Sequence, residues 1–220
     1  MSSLLTQLVN LLGALLLMLT FAMISQRRVV SLIHLFTLQG ATLVLATALV
    51  GYVTGQPHLY LSAGMTLLLK VFLIPWLLHR VVNRLNIKWD VETLINIPTT
   101  MLIGIGVVIF AFNLALPIAN FSSALASGTL GIALACVLLS FLMMITRAKA
   151  VPQVIGFLAM ENGLFFAATA ATYGMPMVVE LGIALDVLIG ALILGVFMFQ
   201  IREQFDSLDI SHLEQLKEDQ

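Results

Sequence analysis

The sequence predicts an all-α integral membrane protein with about seven transmembrane helices. Three observations predict it. The 220 residues are 60% hydrophobic and 10% charged, where a soluble domain carries about 25% charged residues, and the mean hydropathy is +1.08. Seven apolar stretches approach the roughly 20 residues needed to cross a bilayer. The basic residues fall in alternate loops.

The spans follow in order. The first, Leu4–Ile24, has no basic residue before it and no A-x-A site after it, so it is expected to be retained rather than cleaved as a signal peptide. Arg27 and Arg28 separate it from Val30–Val53, which the turn residues Gly55–Pro57 close. Leu59–Leu78 is followed by Arg80, Arg84 and Lys88. Thr99–Leu116 lies between Pro98 and the turn Pro117–Asn120. Leu125–Ile145 is followed by Arg147 and Lys149. Val151–Thr172 ends at Gly174–Pro176, and Met177–Phe199 is followed by Arg202 and Lys217.

Nine of the ten basic residues therefore share one side, and the tenth is Lys70. The positive-inside rule makes that side cytoplasmic. An odd number of spans then puts the N-terminus outside and the C-terminus in the cytoplasm. The acidic stretch from Glu203 to Gln220 reads as a cytoplasmic tail, with Ser211 and Glu214 spaced as a capping box.

A faint internal repeat runs at an offset of 122 residues. It sets Ala46-Thr47-Ala48 against Ala168-Thr169-Ala170 and Gln39 against Glu161. The expected organisation is a three-helix module over residues 1–95, a linking helix over 96–122, a second three-helix module over 123–202 and the tail over 203–220.

Several chemistries are excluded or disfavoured by residue type. The net charge of −1 gives no global field for nucleic acid. The single cysteine, Cys136, cannot form an internal disulfide and reads as a small core residue. No Cys/His cluster has metal-ligand spacing, and no phosphate loop or nucleophile elbow is present.

The informative residues are three charges, each near the middle of a separate span. A charge at the centre of a membrane helix costs about 2.5–3.5 kcal/mol, so three cost roughly 8–10 kcal/mol by addition. Residues retained at that cost usually face a protein interior or a water path and move or bind ions. Asp186 lies about ten residues, roughly 15 Å, into its span. Gly182 and Gly190, one turn either side, would let a neighbouring helix approach. Glu161 lies halfway along its span beside Asn162, which is placed to bond a neighbouring helix. Both acids can hold or release a proton; the alternative for each is a neutral acid in one interhelical hydrogen bond. Lys70 precedes Pro75, which frees the carbonyl of Val71 one turn earlier. Lys70 reads equally as a relay or as a static ion-pair partner of Glu161 or Asp186.

Glu180 lies about 240° around the helix from Asp186 and reads first as a solvated interfacial acid, second as an entry or exit group. Gln39, His34 and Asn113 read as interhelical hydrogen-bonding groups; Gln39 is the one the repeat sets opposite Glu161. His34 lies near the cytoplasmic end and could titrate.

The run Val154-Ile-Gly-Phe-Leu-Ala-Met-Glu161-Asn162-Gly163, with Val179-Glu180-Leu-Gly182-Ile-Ala-Leu-Asp186, resembles component E of hydrogenase-4 and formate hydrogenlyase complexes. The resemblance extends to Leu208-Asp-Ile-Ser-His-Leu and to Lys70-Val-Phe-Leu-Ile-Pro75, and so covers most of the chain. The last three spans are also similar to the K subunit of respiratory complex I and the C subunit of Mrp-type antiporters. In those families two membrane acids belong to a proton path, and Glu161 and Asp186 match their positions, with aspartate where complex I usually has glutamate. Lys70 has no counterpart in the K-type module. The resemblance implies a non-catalytic membrane subunit of a complex I-like oxidoreductase. Its partners would be antiporter-like subunits, a quinone-site-like membrane subunit and a peripheral hydrogenase arm. Fe-S clusters and Ni-Fe would belong to those partners, with no cofactor bound by this chain. Two other readings stand beside it: a spacer with fixed ion pairs that joins antiporter-like subunits, and a transporter working alone.

Overall fold

The computed structural model describes residues 2–84, 93–119, 124–172, 182 and 184–193. All of its regular elements are helices. They are α1 (Ser2–Ser25), α2 (Val29–Thr54), α3 (His58–Thr66), a π-helical segment (Leu67–Leu73), α4 (Ile74–Arg84), α5 (Ile97–Ala119), α6 (Ala124–Thr146) and α7 (Ala150–Thr172). A short apolar helix, α8 (Ala184–Ile193), follows. Six helical rods are long and apolar enough to cross a membrane among the described residues, with α3, the π segment and α4 counting as one rod. The protein is a multi-pass, all-helical membrane protein. The first six expected spans coincide with these rods to within a few residues at most ends. The third extends further, through Asn83, because Arg80 and Asn83 continue its helix toward the polar boundary. Only α8 of the expected Met177–Phe199 span is described. Lys88, Glu180, Arg202 and the tail lie outside the described residues.

Local chemistry sets the breaks. Gly55 ends α2 with φ 67°, a left-handed cap that glycine adopts without Cβ strain, and Gly55 and Gln56 both donate their N–H groups to Gly51 O. The turn at Gly55–Pro57 is therefore where the sequence places it. Pro117 falls within the last turn of α5 rather than after it; its missing N–H leaves the carbonyl of Asn113, one turn earlier, without that helical bond.

Packing is in two apolar cores. One joins Met23 and Ile24 of α1, Val29 to Phe36 of α2, Ile74 and Leu78 of α4, Leu139 to Met143 of α6, Ile155 to Ala159 of α7 and Ile189 of α8. The other joins Val9 and Leu16, Leu43 to Val50, Leu59, Ala133 and Cys136, and Phe165 and Phe166. A set of buried polar residues falls between the two cores: Thr20 on α1, Gln39 on α2, Lys70 in the π segment, and Glu161 and Asn162 on α7. The fold is thus an apolar–polar–apolar sandwich along the helix axes, and the polar layer is near mid-membrane. The helices that the repeat pairs, α1 with α6 and α2 with α7, pack against each other. α5 touches α1 and α6 and presents Leu102, Ile105, Ile109 and Phe110 outward.

The basic end has its own anchor. Arg147, just past α6, is 1% exposed. Its Nη2 donates to Met23 O at 3.3 Å and Ile24 O at 2.5 Å, carbonyls of the last turn of α1, of which Met23 O also accepts from Gln26 N at 3.2 Å. Its backbone bridges Thr93, and Gln153 Nε2 donates to its carbonyl at 2.8 Å. Burial pushes the guanidinium below the ordinary arginine range. The sequence reads Arg147 as a loop charge set by topology; the structure makes it a buried cap, because the end of α1 offers acceptors at the end of a helix dipole.

Candidate intramembrane charge cluster

Lys70 reaches the polar layer through the irregular part of its rod. Between Leu67 and Leu73 the backbone pairs five residues apart, and Ile74 N donates to Leu69 O. The next bond in that register would run from residue 75 to the carbonyl of Lys70, and Pro75 has no N–H. The freed carbonyl in this register is that of Lys70, not of Val71 as an α register implies. π turns concentrate at functional sites because they break the regular ladder. Here the break lies against Gly40 of α2: a Cβ at Gly40 would be 3.2 Å from Lys70 Cβ and 3.5 Å from Lys70 O. Glycine lets the two backbones meet.

The three mid-membrane charges converge. The Lys70 ammonium is ion-paired to Glu161 Oε2, donates to Asn162 Oδ1 at 2.7 Å and lies 3.4 Å from Asp186 Oδ1. The ring centroid of Phe165 is 5.7 Å from the Nζ. Lys70, Glu161 and Asp186 are 1%, 4% and 2% exposed. Lys70 is the ion-pair partner of both acids at once, where the sequence offers either one. Glu161 Oε1 accepts no hydrogen bond from the described residues, and Asp186 Oδ1 meets the ammonium as an ion pair without a hydrogen bond.

Gly182, two residues before α8, also packs against this site. A Cβ there would meet Phe165 Cδ2 at 2.8 Å and lie 3.6 Å from Glu161 Oε1. The second glycine expected in that seam, Gly190, has nothing within 4 Å of such a Cβ among the described residues.

A neutral arm leads away from the charges. Asn162 Nδ2 donates to Gln39 Oε1 at 3.0 Å, Gln39 Nε2 donates to Thr20 Oγ1 at 2.8 Å, and Thr20 donates to Leu16 O at 2.8 Å. Each amide accepts on its oxygen and donates from its nitrogen. The bond directions therefore run one way from Lys70 to α1. Amides do not relay protons readily, so this arm orients the ammonium rather than draining it. Gln39 thus joins the site, and Thr20 is a member that sequence reasoning missed; a lone threonine in an apolar helix ordinarily bonds its own backbone and sends no signal.

The remaining polar residues divide. Asn113 Nδ2 donates to Ile109 O of its own helix at 2.8 Å and is exposed, where the sequence suggests an interhelical bond; none is made to the described residues. His34 lies near the basic end beside His79. No group of three or more His, Cys, Asp or Glu side chains is placed to hold a metal among the described residues. An apolar groove of about 500 Å³ between α4, α7 and α8, walled by Leu78, Val81, Val154, Phe157 and Leu188, carries no charge.

The chain is similar to a Mycobacterium tuberculosis (strain ATCC 25618 / H37Rv) protein described as "Uncharacterized protein Rv0085", with 31% identity over 190 residues, covering 86% of each chain. It belongs to the Rv0085 family. The aligned length, 190 of 220 residues, is large enough to take in most of the helices described above. No family model and no solved structure matches the chain.

Proposed function

We propose that this chain is a membrane subunit of a complex I-like energy-converting complex of the group 4 hydrogenase or formate hydrogenlyase type, and that Lys70, Glu161 and Asp186 hold and pass protons within it. The chain spans a prokaryotic inner membrane seven times in this reading, with the N-terminus outside and the C-terminus cytoplasmic. The single-sided basic loops support that orientation. Antiporter-like subunits, a quinone-site-like membrane subunit and a hydrogenase-like arm are its partners. Redox chemistry and its metal cofactors belong to them.

The observation that carries the reading is one ammonium between two buried carboxyls. Fully ionised, the cluster holds one positive and two negative charges. It is neutral only when one carboxyl carries a proton, and charge is expensive at this depth. A proton is therefore part of the resting cluster. It can sit on Glu161 or on Asp186 while the ammonium pairs with the other. Moving it from one to the other swaps the partners of Lys70 and leaves the total charge unchanged, which avoids the cost of creating a new charge in the membrane.

The spacer reading is favoured by a different observation. Asn162 and Gln39 fix the ammonium from one side, and the pair with Glu161 is tight. A permanent pair needs such clamps as much as a relay does. Proton translocation by the intact complex separates the two. Glu161→Gln and Asp186→Asn keep size and remove the titratable group. Loss of pumping with intact assembly supports the relay. Unchanged pumping in the assembled variants sinks it and leaves the spacer.

A further inference from the structure

We propose that His34 and His79 form a two-histidine site for a divalent transition-metal cation such as Zn²⁺ or Cu²⁺, tying α2 to α4 at the basic end of the bundle. The site is separate from the charge cluster and does not rest on the function proposed above. Its ring centroids are 5.3 Å apart, with the planes tilted by 50°. Two imidazoles on one tetrahedral ion, each with a metal–nitrogen bond of about 2.0–2.1 Å, have centroids roughly 5 Å apart. Rings on one ion are free to turn about their own bonds, so the tilt is compatible.

The tautomer also fits. His79 Nδ1 lies 2.9 Å from Pro75 O. A carbonyl only accepts, so Nδ1 carries the hydrogen and Nε2 of the neutral ring keeps its lone pair. Metal-ligating histidines almost always donate their other N–H to a carbonyl or carboxylate in this way. That carbonyl lies in the first turn of α4, just past the π segment that carries Lys70.

Access is open. His34 is exposed and His79 half-buried. α2 has 26 residues, about 39 Å at 1.5 Å per residue, against roughly 30 Å of hydrocarbon. His34, five residues past Val29, lies about 7–8 Å along that helix, close to the interface and to water. Water completes the coordination. Arg80, the neighbour of His79, stacks over Trp76 with its guanidinium carbon 5.2 Å from the ring centroid. Its charge weakens the hold on a dication, so the site is exchangeable rather than a resident structural centre.

The test is electron paramagnetic resonance of the tag-free full chain in detergent with one equivalent of Cu²⁺, which binds nitrogen sites more tightly than Zn²⁺. The expected spectrum carries hyperfine splitting from two imidazole nitrogens. His34→Ala and His79→Ala should each reduce this to one nitrogen and weaken Cu²⁺ at least about tenfold, the low end of what loss of a hydrogen bond to a metal ligand alone costs. His58→Ala should change nothing. His34 is exposed, so its variant does not endanger the fold. A two-nitrogen spectrum that survives in His34→Ala, a one-nitrogen spectrum in the parent chain, or sensitivity to His58→Ala would each overturn the proposal.

Discussion

Lys70→Met gives the sharpest test of the charge cluster as a coupled unit. Methionine keeps most of the side-chain volume and removes the ammonium. Asp186 Oδ1, 3.4 Å from the Nζ, then loses an attraction of about 5 kcal/mol at an effective dielectric constant near 20, and Glu161 loses its closer partner as well. Desolvation offsets much of such an attraction, so the net cost of breaking a buried pair from one side is about 3–5 kcal/mol. A chain of this size loses about 2–4 °C in melting temperature per kcal/mol, which gives a fall of roughly 6–20 °C. The companion is Lys70→Met with Glu161→Gln and Asp186→Asn. All three charges leave together, no lone carboxyl remains, and more than half of the lost stability should return. Thermal unfolding of the three proteins in one detergent measures both steps. A triple variant no more stable than Lys70→Met alone would refute the coupling, and so would a single variant that melts with the parent.

Other perturbations read the surroundings. Gln39→Leu removes two interhelical bonds, each worth about 0.6 kcal/mol in a membrane, and should cost about 1–2 kcal/mol by thermal unfolding. Gly40→Leu drives a side chain into Lys70 Cβ and its carbonyl; overpacking of this kind costs about 1–3 kcal/mol, and Gly64→Ala, where no described residue lies within 4 Å, is the control that should melt no lower than the parent. Arg147→Ala removes the charged donor to the carbonyls of Met23 and Ile24 and should cost about 2–3 kcal/mol, in line with hydrogen bonds to a charged group; amide exchange should rise at the end of α1 before it rises elsewhere.

The sequence is most legible where one physical term dominates. Apolar runs bounded by glycine, proline and arginine mark the first six rods, because lipid demands length and low polarity from each of them. The same cost argument singles out Lys70, Glu161 and Asp186, and the structure brings them within one cluster. What it does not carry is the side-chain geometry between helices. Asn162 meets Gln39 only because α2 and α7 pack face to face, and nothing in either helix alone specifies that pairing. The π turn is hidden for a related reason: apart from Lys70, Leu67 to Leu73 is as apolar as any α-helix, and only Pro75 hints that the ladder changes. Arg147 misleads because charge counting assigns it a side of the membrane and says nothing about burial.

The depth of the polar layer has an electrical consequence. Lys70 is the thirteenth residue of the 26-residue rod His58–Asn83, so the cluster lies about halfway across the insulating layer. A unit charge crossing the whole membrane does work of about 2.3 kcal/mol per 100 mV. A proton travelling between either aqueous face and this cluster crosses about half of that drop, roughly 1.2 kcal/mol per 100 mV. In the proposed relay, entry from the two faces would feel the membrane voltage with about equal strength and opposite sign, while the two steps of one direction of transport would feel it with the same sign. An asymmetry between filling and emptying the cluster has to come from which face is open to it, and that is set by the helices and neighbours on either side rather than by its position in the field.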